Sequence, residues 1–185
     1  MRYKTHIVSS LTLGAGISIT LHYPFHVGYV LGIMFGSLLP DIDEPRSFIG
    51  RRSFGFASFV NETFGHRGIT HSLFAWGIVS FFCLLSPTPF TIGISLGYLF
   101  HLFGDFFSVR SIQLFLPFHP FRPKLPLSYK TGSLSEDILF YIFTILLVYF
   151  VFILGHLHHY FILSSTELLD KMIHILVEII KGVMT

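Results

Sequence analysis

The chain has 185 residues, of which 52% are hydrophobic and 12% charged, with a net charge of +2 and a mean hydropathy of +0.69. A soluble domain carries about 25% charge, so this chain cannot cover its surface with polar groups and lipid must cover much of it. The small net charge gives no reason to expect a nucleic-acid partner, and the single cysteine, Cys83, excludes an intrachain disulfide and a cysteine-based zinc site.

The basic start Met1-Arg2-Tyr3-Lys4 leads into an apolar run without a small-residue cleavage pattern, and reads as a first membrane helix that is retained. Apolar segments are expected at about 7–21 and 25–39, separated by His22-Tyr23-Pro24 and closed by Pro40. A polar loop over 40–69 follows. Segments at about 70–86 and 90–104 flank Pro87-Thr88-Pro89, where proline lacks a donor and disfavours helix in the preceding residue. A proline-rich loop over 105–136 leads to the most hydrophobic segment, about 137–154. The first four segments are short against the roughly 20 residues of a membrane span, so each is expected to extend into its loop or to sit in thinned bilayer. The expected fold is all-α: a polytopic membrane helix bundle of about five transmembrane helices, forming one domain over 1–163. Residues 164–185 follow as an amphipathic helix, with Leu168, Leu169, Met172, Ile173, Leu176, Ile179 and Ile180 at helical spacing.

Charge gives the orientation. With five spans, Arg2, Lys4, Arg46, Arg51, Arg52, Arg67, Arg110, Arg122, Lys124 and Lys130 fall on one side of the membrane and Lys171 and Lys181 on the other. Basic residues favour the cytoplasmic side, which places the N-terminus and both long loops there.

The same face collects groups able to hold a metal ion. His6 opens the first segment, Asp41 and Asp43 close the second, His66 and His71 flank the start of the third, and His101 and Asp105 close the fourth. His101 and Asp105, spaced i and i+4, share one side of a helix. A histidine and carboxylate set without sulfur suits zinc, with manganese or iron as alternatives. Stripes of small residues end in these groups: Gly28, Gly32 and Gly36 before Asp41; Gly93 and Gly97 before His101; Ser10, Gly14 and Ser18 behind His6. In lipid, small residues at this spacing let helices approach closely, so the packed faces are also the ligand-bearing faces. Each residue has a plainer explanation. Asp41 fits a solvated turn after Pro40, Asp43 fits a pair with Arg46, and His6 and His101 fit interfacial or interhelical hydrogen bonding. The joint pattern favours a site, because ionisable groups at membrane helix ends are functional candidates when they face the bundle.

Thr5-His6, Gly36-Ser37-Leu38-Leu39-Pro40-Asp41-Ile42-Asp43, Ile49-Gly50-Arg51-Arg52, His66-Arg67-Gly68-Ile69-Thr70-His71-Ser72 and Gly97-Tyr98-Leu99-Phe100-His101-Leu102-Phe103-Gly104-Asp105 occur in order over roughly residues 1–120. This set resembles the YdjM-like family of bacterial inner-membrane proteins, some LexA-regulated, described as metal-dependent hydrolases. The ending His-x3-Asp is also similar, more weakly, to the zinc-dependent phospholipase C and S1/P1 nuclease group. A later His-x3-Glu pair is lacking, so the likeness implies one or two ions rather than three.

Two functions follow as expectations. In the first, His6, Asp41, Asp43, His71, His101 and Asp105 hold metal, Glu44 serves as a base, and Arg67, Arg51 and His66 hold an anionic substrate. That substrate is a phosphoester such as a phospholipid or lipid-linked phosphate, because the site opens among lipid headgroups. In the second, the same cluster is a structural metal site or part of a metal carrier. No acidic residue lies midway along the spans, which weighs against an ion pathway.

Overall fold

A computed structural model of the chain describes residues 1–65, 67–123 and 128–156. His66 and the amphipathic helix expected over 164–185 lie outside the described residues. The described chain is helical, with no β-strand among the described residues. One isolated bridge between Ser108 and Tyr129 ties the second loop together.

The expected segments form helices close to where the apolar runs placed them. Helix α1 (Tyr3–Leu21) stops at His22, whose left-handed backbone (φ 52°) turns its amide onto the Ser18 carbonyl. Helix α2 (Val27–Gly36) is shorter than expected, with 10 residues, and passes into a 3-10 turn, Leu39–Asp43, with Pro40 in its first turn. Helix α3 (Phe56–Phe64) lies inside the segment read as a polar loop. Its Ala57 and Val60 face inward, and Asn61 donates to the Asp43 carbonyl at 2.7 Å. Helix α4 (Leu73–Leu85) is capped by Ser72, whose hydroxyl accepts the Ala75 amide. Helix α5 (Pro89–Phe106) starts on a reciprocal cap: Thr88 and Thr91 side chains each accept the other's amide, with Pro89 pre-set in the first turn. Helix α6 spans Leu134–His156.

Of the five expected spans, α6 is the one among the described residues that is long and apolar enough to cross a membrane unaided. Helix α4 is apolar but has 13 residues, about 20 Å at 1.5 Å per residue. Helices α1 and α5 have 19 and 18 residues but carry polar groups on one face, which lowers their hydropathy. That face is turned inward. Thr5, His6, Ser9, Ser10, Thr12 and Ser18 of α1 are buried, whereas Phe81, Phe82, Leu84 and Leu85 of α4 are exposed. Polar inside and apolar outside is the arrangement of a helix bundle whose solvent is lipid.

Small residues set how close the helices come. A Cβ on Gly32 or Gly36 of α2 would overlap the Phe90 or Ile94 carbonyl of α5, and one on Gly93 or Gly97 of α5 would overlap the Tyr29 or Ile33 carbonyl of α2. The two backbones are therefore in direct contact, which carries the Asp41 turn to the His101 end of α5. Helix α1 packs on α2 through the Gly14 side, against Ile33 and Tyr29. Thr12 on α1 donates to the Phe143 carbonyl of α6 at 2.9 Å. The buried Glu136, near the start of α6, accepts the amides of Arg2 and Gly132, and the Arg2 guanidinium pairs with Glu136 and Asp137. The beginnings of α1 and α6 are thus fixed together.

Overpacking a tight contact costs about 1–3 kcal/mol or more. Gly97→Ala is expected to lower the thermal midpoint of the detergent-purified protein clearly, while Gly77→Ala, whose Cβ would meet open space, leaves it within a degree or two; a melting curve of each variant checks this.

Candidate metal centre

The Pro-Asp-Ile-Asp turn grips one imidazole from both sides. In a 3-10 turn, residues two apart point in different directions. Asp41 Oδ1 lies 3.6 Å from His71 Nε2, while Asp43 Oδ2 lies 3.1 Å from His71 Nδ1. A carboxylate accepts, so Nδ1 carries the proton and donates to Asp43. The same Asp43 oxygen accepts the Arg67 amide at 2.8 Å and the Thr70 hydroxyl at 2.7 Å. With Nδ1 committed, His71 turns Nε2 toward the cluster.

His101 is fixed in the same way. Its Nδ1 donates to the Ser37 carbonyl at 2.7 Å, which leaves the Nε2 lone pair free to accept. The two Nε2 atoms face each other at 3.2 Å, and Asp41 Oδ1 lies 3.7 Å from His101 Nε2. Asp105 Oδ2 closes the group, 3.7 Å from His71 Nε2. Ligands about 2.0–2.1 Å from a tetrahedral ion stand roughly 3.3 Å apart. Asp41, His71 and His101 therefore present donor atoms within 4.8 Å of one another, as do His6, His101 and Asp105, and each trio fits a divalent ion. His6 extends the cluster. Its ring stacks on His101 with centroids 3.7 Å apart, and its Nε2 lies 3.5 Å from Asp105 Oδ1. Both His6 ring nitrogens are buried without a hydrogen-bond partner among the described residues. A buried polar atom left unmet is costly, and an ion beside Asp105 would meet it.

Cations already bear on Asp105. The Met1 amino group and the Arg67 guanidinium each approach one of its oxygens at 2.8 Å. Arg67 adopts a left-handed backbone (φ 60°), uncommon outside glycine. Its amide reaches Asp43 while its side chain reaches Asp105 and the Ser108 hydroxyl. Burial lowers the proton affinity of His71, but Asp41 and Asp43 outweigh it and raise the pKa to about 9. Burial raises the proton affinity of Asp41, but His101, His71 and His6 outweigh it and hold the carboxyl below the usual range. The proton His71 retains sits on Nε2, where an ion would bind.

The structure thus brings together His6, Asp41, His71, His101 and Asp105. Asp43, expected as a ligand, instead has Oδ2 on the Nδ1 side of His71 and orients that ring. Arg67, expected to meet substrate, is paired with Asp105. Glu44 accepts the Arg46 amide through Oε1, and Arg51 donates to the Ser47 carbonyl; both line a cavity of 840 Å³ that also reaches Asp41 and Arg67. Sequence reasoning did not single out Ser37, Ser108 or Glu136. The first acts through a backbone carbonyl and leaves no side-chain signal. Glu136 had one: it is among only ten Asp and Glu residues and stands at the head of the most apolar helix.

A sequence model of the family described as YdjM inner membrane protein matches residues 1–165. The protein named YvsG of Bacillus subtilis (strain 168), described as uncharacterized, is 32% identical over 164 residues, covering 84% of this chain and 98% of that protein. Inner membrane protein YdjM of Escherichia coli (strain K12) is 38% identical over 97 residues, about half of each chain, and YdjM of Shigella flexneri matches equally. No solved structure matches. The weaker likeness to the phospholipase C and nuclease group finds no support in these matches.

Two outcomes separate ligand from support. Losing an outer partner of a liganding histidine costs about 10–100-fold in metal affinity, so Asp43→Asn is expected to retain zinc with affinity weakened by that factor, while His101→Ala loses stoichiometric zinc by elemental analysis. The His71 proton stabilises the ion-free fold below pH about 6.5, and that contribution is lost as pH rises through about 9. A zinc ion bound at Nε2 would displace this proton. Apparent affinity is therefore expected to rise from pH 6 to 8, with about one proton released per ion, measurable by calorimetry in buffers of different ionisation enthalpy.

Proposed function

The chain belongs to the YdjM family of inner membrane proteins, and on that premise we propose that it is a membrane-bound, metal-dependent hydrolase of a phosphoester such as a phospholipid or lipid-linked phosphate. The observation that carries this reading is the pair of tautomer-fixed imidazole nitrogens, His71 Nε2 and His101 Nε2, facing each other at 3.2 Å between Asp41 and Asp105. In the ion-free protein the proton on His71 Nε2 bridges the pair as an N–H···N hydrogen bond, and a cation that displaced it would meet both lone pairs.

The donor set suits zinc, with manganese or iron as alternatives. Asp41, His71 and His101 would hold one ion, and His6, His101 and Asp105 offer a second position. A bound ion supplies a water whose pKa falls toward neutrality and a Lewis acid for a phosphoryl oxygen. The chain does the rest. Asp43 and the Ser37 carbonyl fix the two rings. Glu44, which lines the same cavity as Asp41, would take up a proton. Arg51 supplies positive charge to an incoming anion, and Arg67 is within reach of the same space. Helices α1, α2, α4, α5 and α6 would each cross or enter the bilayer, with the N-terminus and the site on the cytoplasmic side, a reading the charge partition supports.

Full-length protein purified in detergent is expected to release phosphate from a lipid phosphate in a zinc-dependent manner, to lose at least a hundredfold of that rate with His71→Ala or Asp41→Ala, and to be silenced by a chelator and restored by added zinc. Bound zinc with no hydrolysis across a panel of phosphoesters would instead leave a structural metal site, and zinc uptake into vesicles would mark a carrier.

A further inference from the structure

The 840 Å³ cavity is charged to an extent that the metal cluster does not explain. Besides Arg67, its wall carries Arg2, Lys4, Arg46, Arg51, Arg110 and Lys130, against the carboxylates Asp41, Glu44 and Asp137. Asp137 is taken by Arg2, and Asp41 faces the imidazoles. Among the described residues, no carboxylate lies within ion-pair distance of Lys4, Arg51, Arg110 or Lys130. A concave wall with unmatched positive charge concentrates anions, and arginine and lysine are the phosphate-binding side chains.

A second space adjoins it. A groove of 460 Å³ runs between α1, α5 and α6, lined by apolar side chains such as Leu13, Phe100, Phe103, Leu139 and Phe143. Met1 lines both spaces, and its amino group sits 2.8 Å from Asp105. The boundary between the charged and the apolar space therefore falls at the metal cluster. Leu13 on α1, Phe100 on α5 and Phe143 on α6 lie at least one helical turn from the loop-side ends of their helices, so the groove extends from the cavity along the helices.

We propose that cavity and groove form one site for an amphiphilic phosphate, with the phosphate headgroup among Lys4, Arg51, Arg110 and Lys130 and one hydrocarbon chain lying in the α1–α5–α6 groove. The headgroup-to-chain linkage then lies beside Asp105 and Asp41. For the fate of that linkage the proposal rests on the hydrolase reading; for binding it does not. The occupant is a lipid because a free phosphate ion fills the charged half alone.

The test uses the full chain in phosphatidylcholine nanodiscs containing phosphatidic acid with a diazirine on one chain. After photolysis, labelled peptides are mapped by mass spectrometry. Groove residues Leu13, Phe100 and Phe143 are expected to label at least fivefold more than Phe81 and Phe82 on the outer face of α4. The same diazirine chain on phosphatidylcholine should lack this preference. Leu139→Trp, which fills the groove, and the pair Arg110→Glu with Lys130→Glu should each reduce groove labelling at least fivefold, while Leu139→Ala keeps it. Equal labelling of groove and α4 face, or groove labelling independent of the headgroup, overturns the proposal; both are read on the unmodified chain and do not depend on any variant folding. Groove labelling without zinc-dependent phosphate release leaves the amphiphile site standing and removes the hydrolase reading. Phosphate release from a soluble ester without groove labelling does the reverse.

Discussion

The site depends on two imidazoles that cannot turn away from each other. Asp43 holds the Nδ1 proton of His71, and the Ser37 carbonyl holds that of His101. Rotating either ring would break a buried hydrogen bond and strand a polar atom, a cost of about 1–3 kcal/mol. Both Nε2 atoms are thereby committed to one small space, together with the Asp41 and Asp105 carboxylates. Nearly every other polar contact nearby serves this convergence. Thr70 and the Arg67 amide hold Asp43, and Arg67 and the Met1 amine hold Asp105.

Such a cluster survives in a lipid-facing protein because the bundle is built around it. Buried serines, threonines and histidines line the inner faces of α1 and α5, and phenylalanines and leucines face outward. Association cannot then rest on squeezing apolar groups out of water, since lipid is as apolar as they are. Close backbone approach replaces it, at the α2–α5 glycine contact above all. That contact sets the distance between the Asp41 turn and His101, so packing and chemistry are parts of one design.

Much of this was legible in the sequence, and for reasons that can be stated. Glycines four apart leading to Asp41 and His101 marked both the packing seam and the polar cluster at its end, because helical periodicity ties spacing to direction. The capped turn at Pro87-Thr88-Pro89 was visible from proline chemistry. Three things were hidden. The role of Asp43 depended on 3-10 geometry, which no local pattern of Asp-x-Asp distinguishes from an extended loop with both carboxylates on one side. Helix α3 is nine residues long, and its inward face offers only Ala57 and Val60, too short a signal to separate from loop. The number of spans is not legible from hydropathy alone, because polar inner faces make α1 and α5 less apolar than their length suggests and α2 has ten residues, which leaves α6 as the one helix among the described residues long and apolar enough to cross unaided.

The two halves of the cluster are mounted differently. His6, His101 and Asp105 sit on α1 and α5, long helices braced by neighbours. Asp41, Asp43 and His71 sit on short 3-10 turns, and Arg67 beside them holds a left-handed backbone. A helix moves only as a body, whereas a turn shifts by small dihedral changes. If the cluster holds a guest, it would work as a vice with one fixed and one adjustable jaw: the helices would define where the guest sits, and the turns would take up differences in its size.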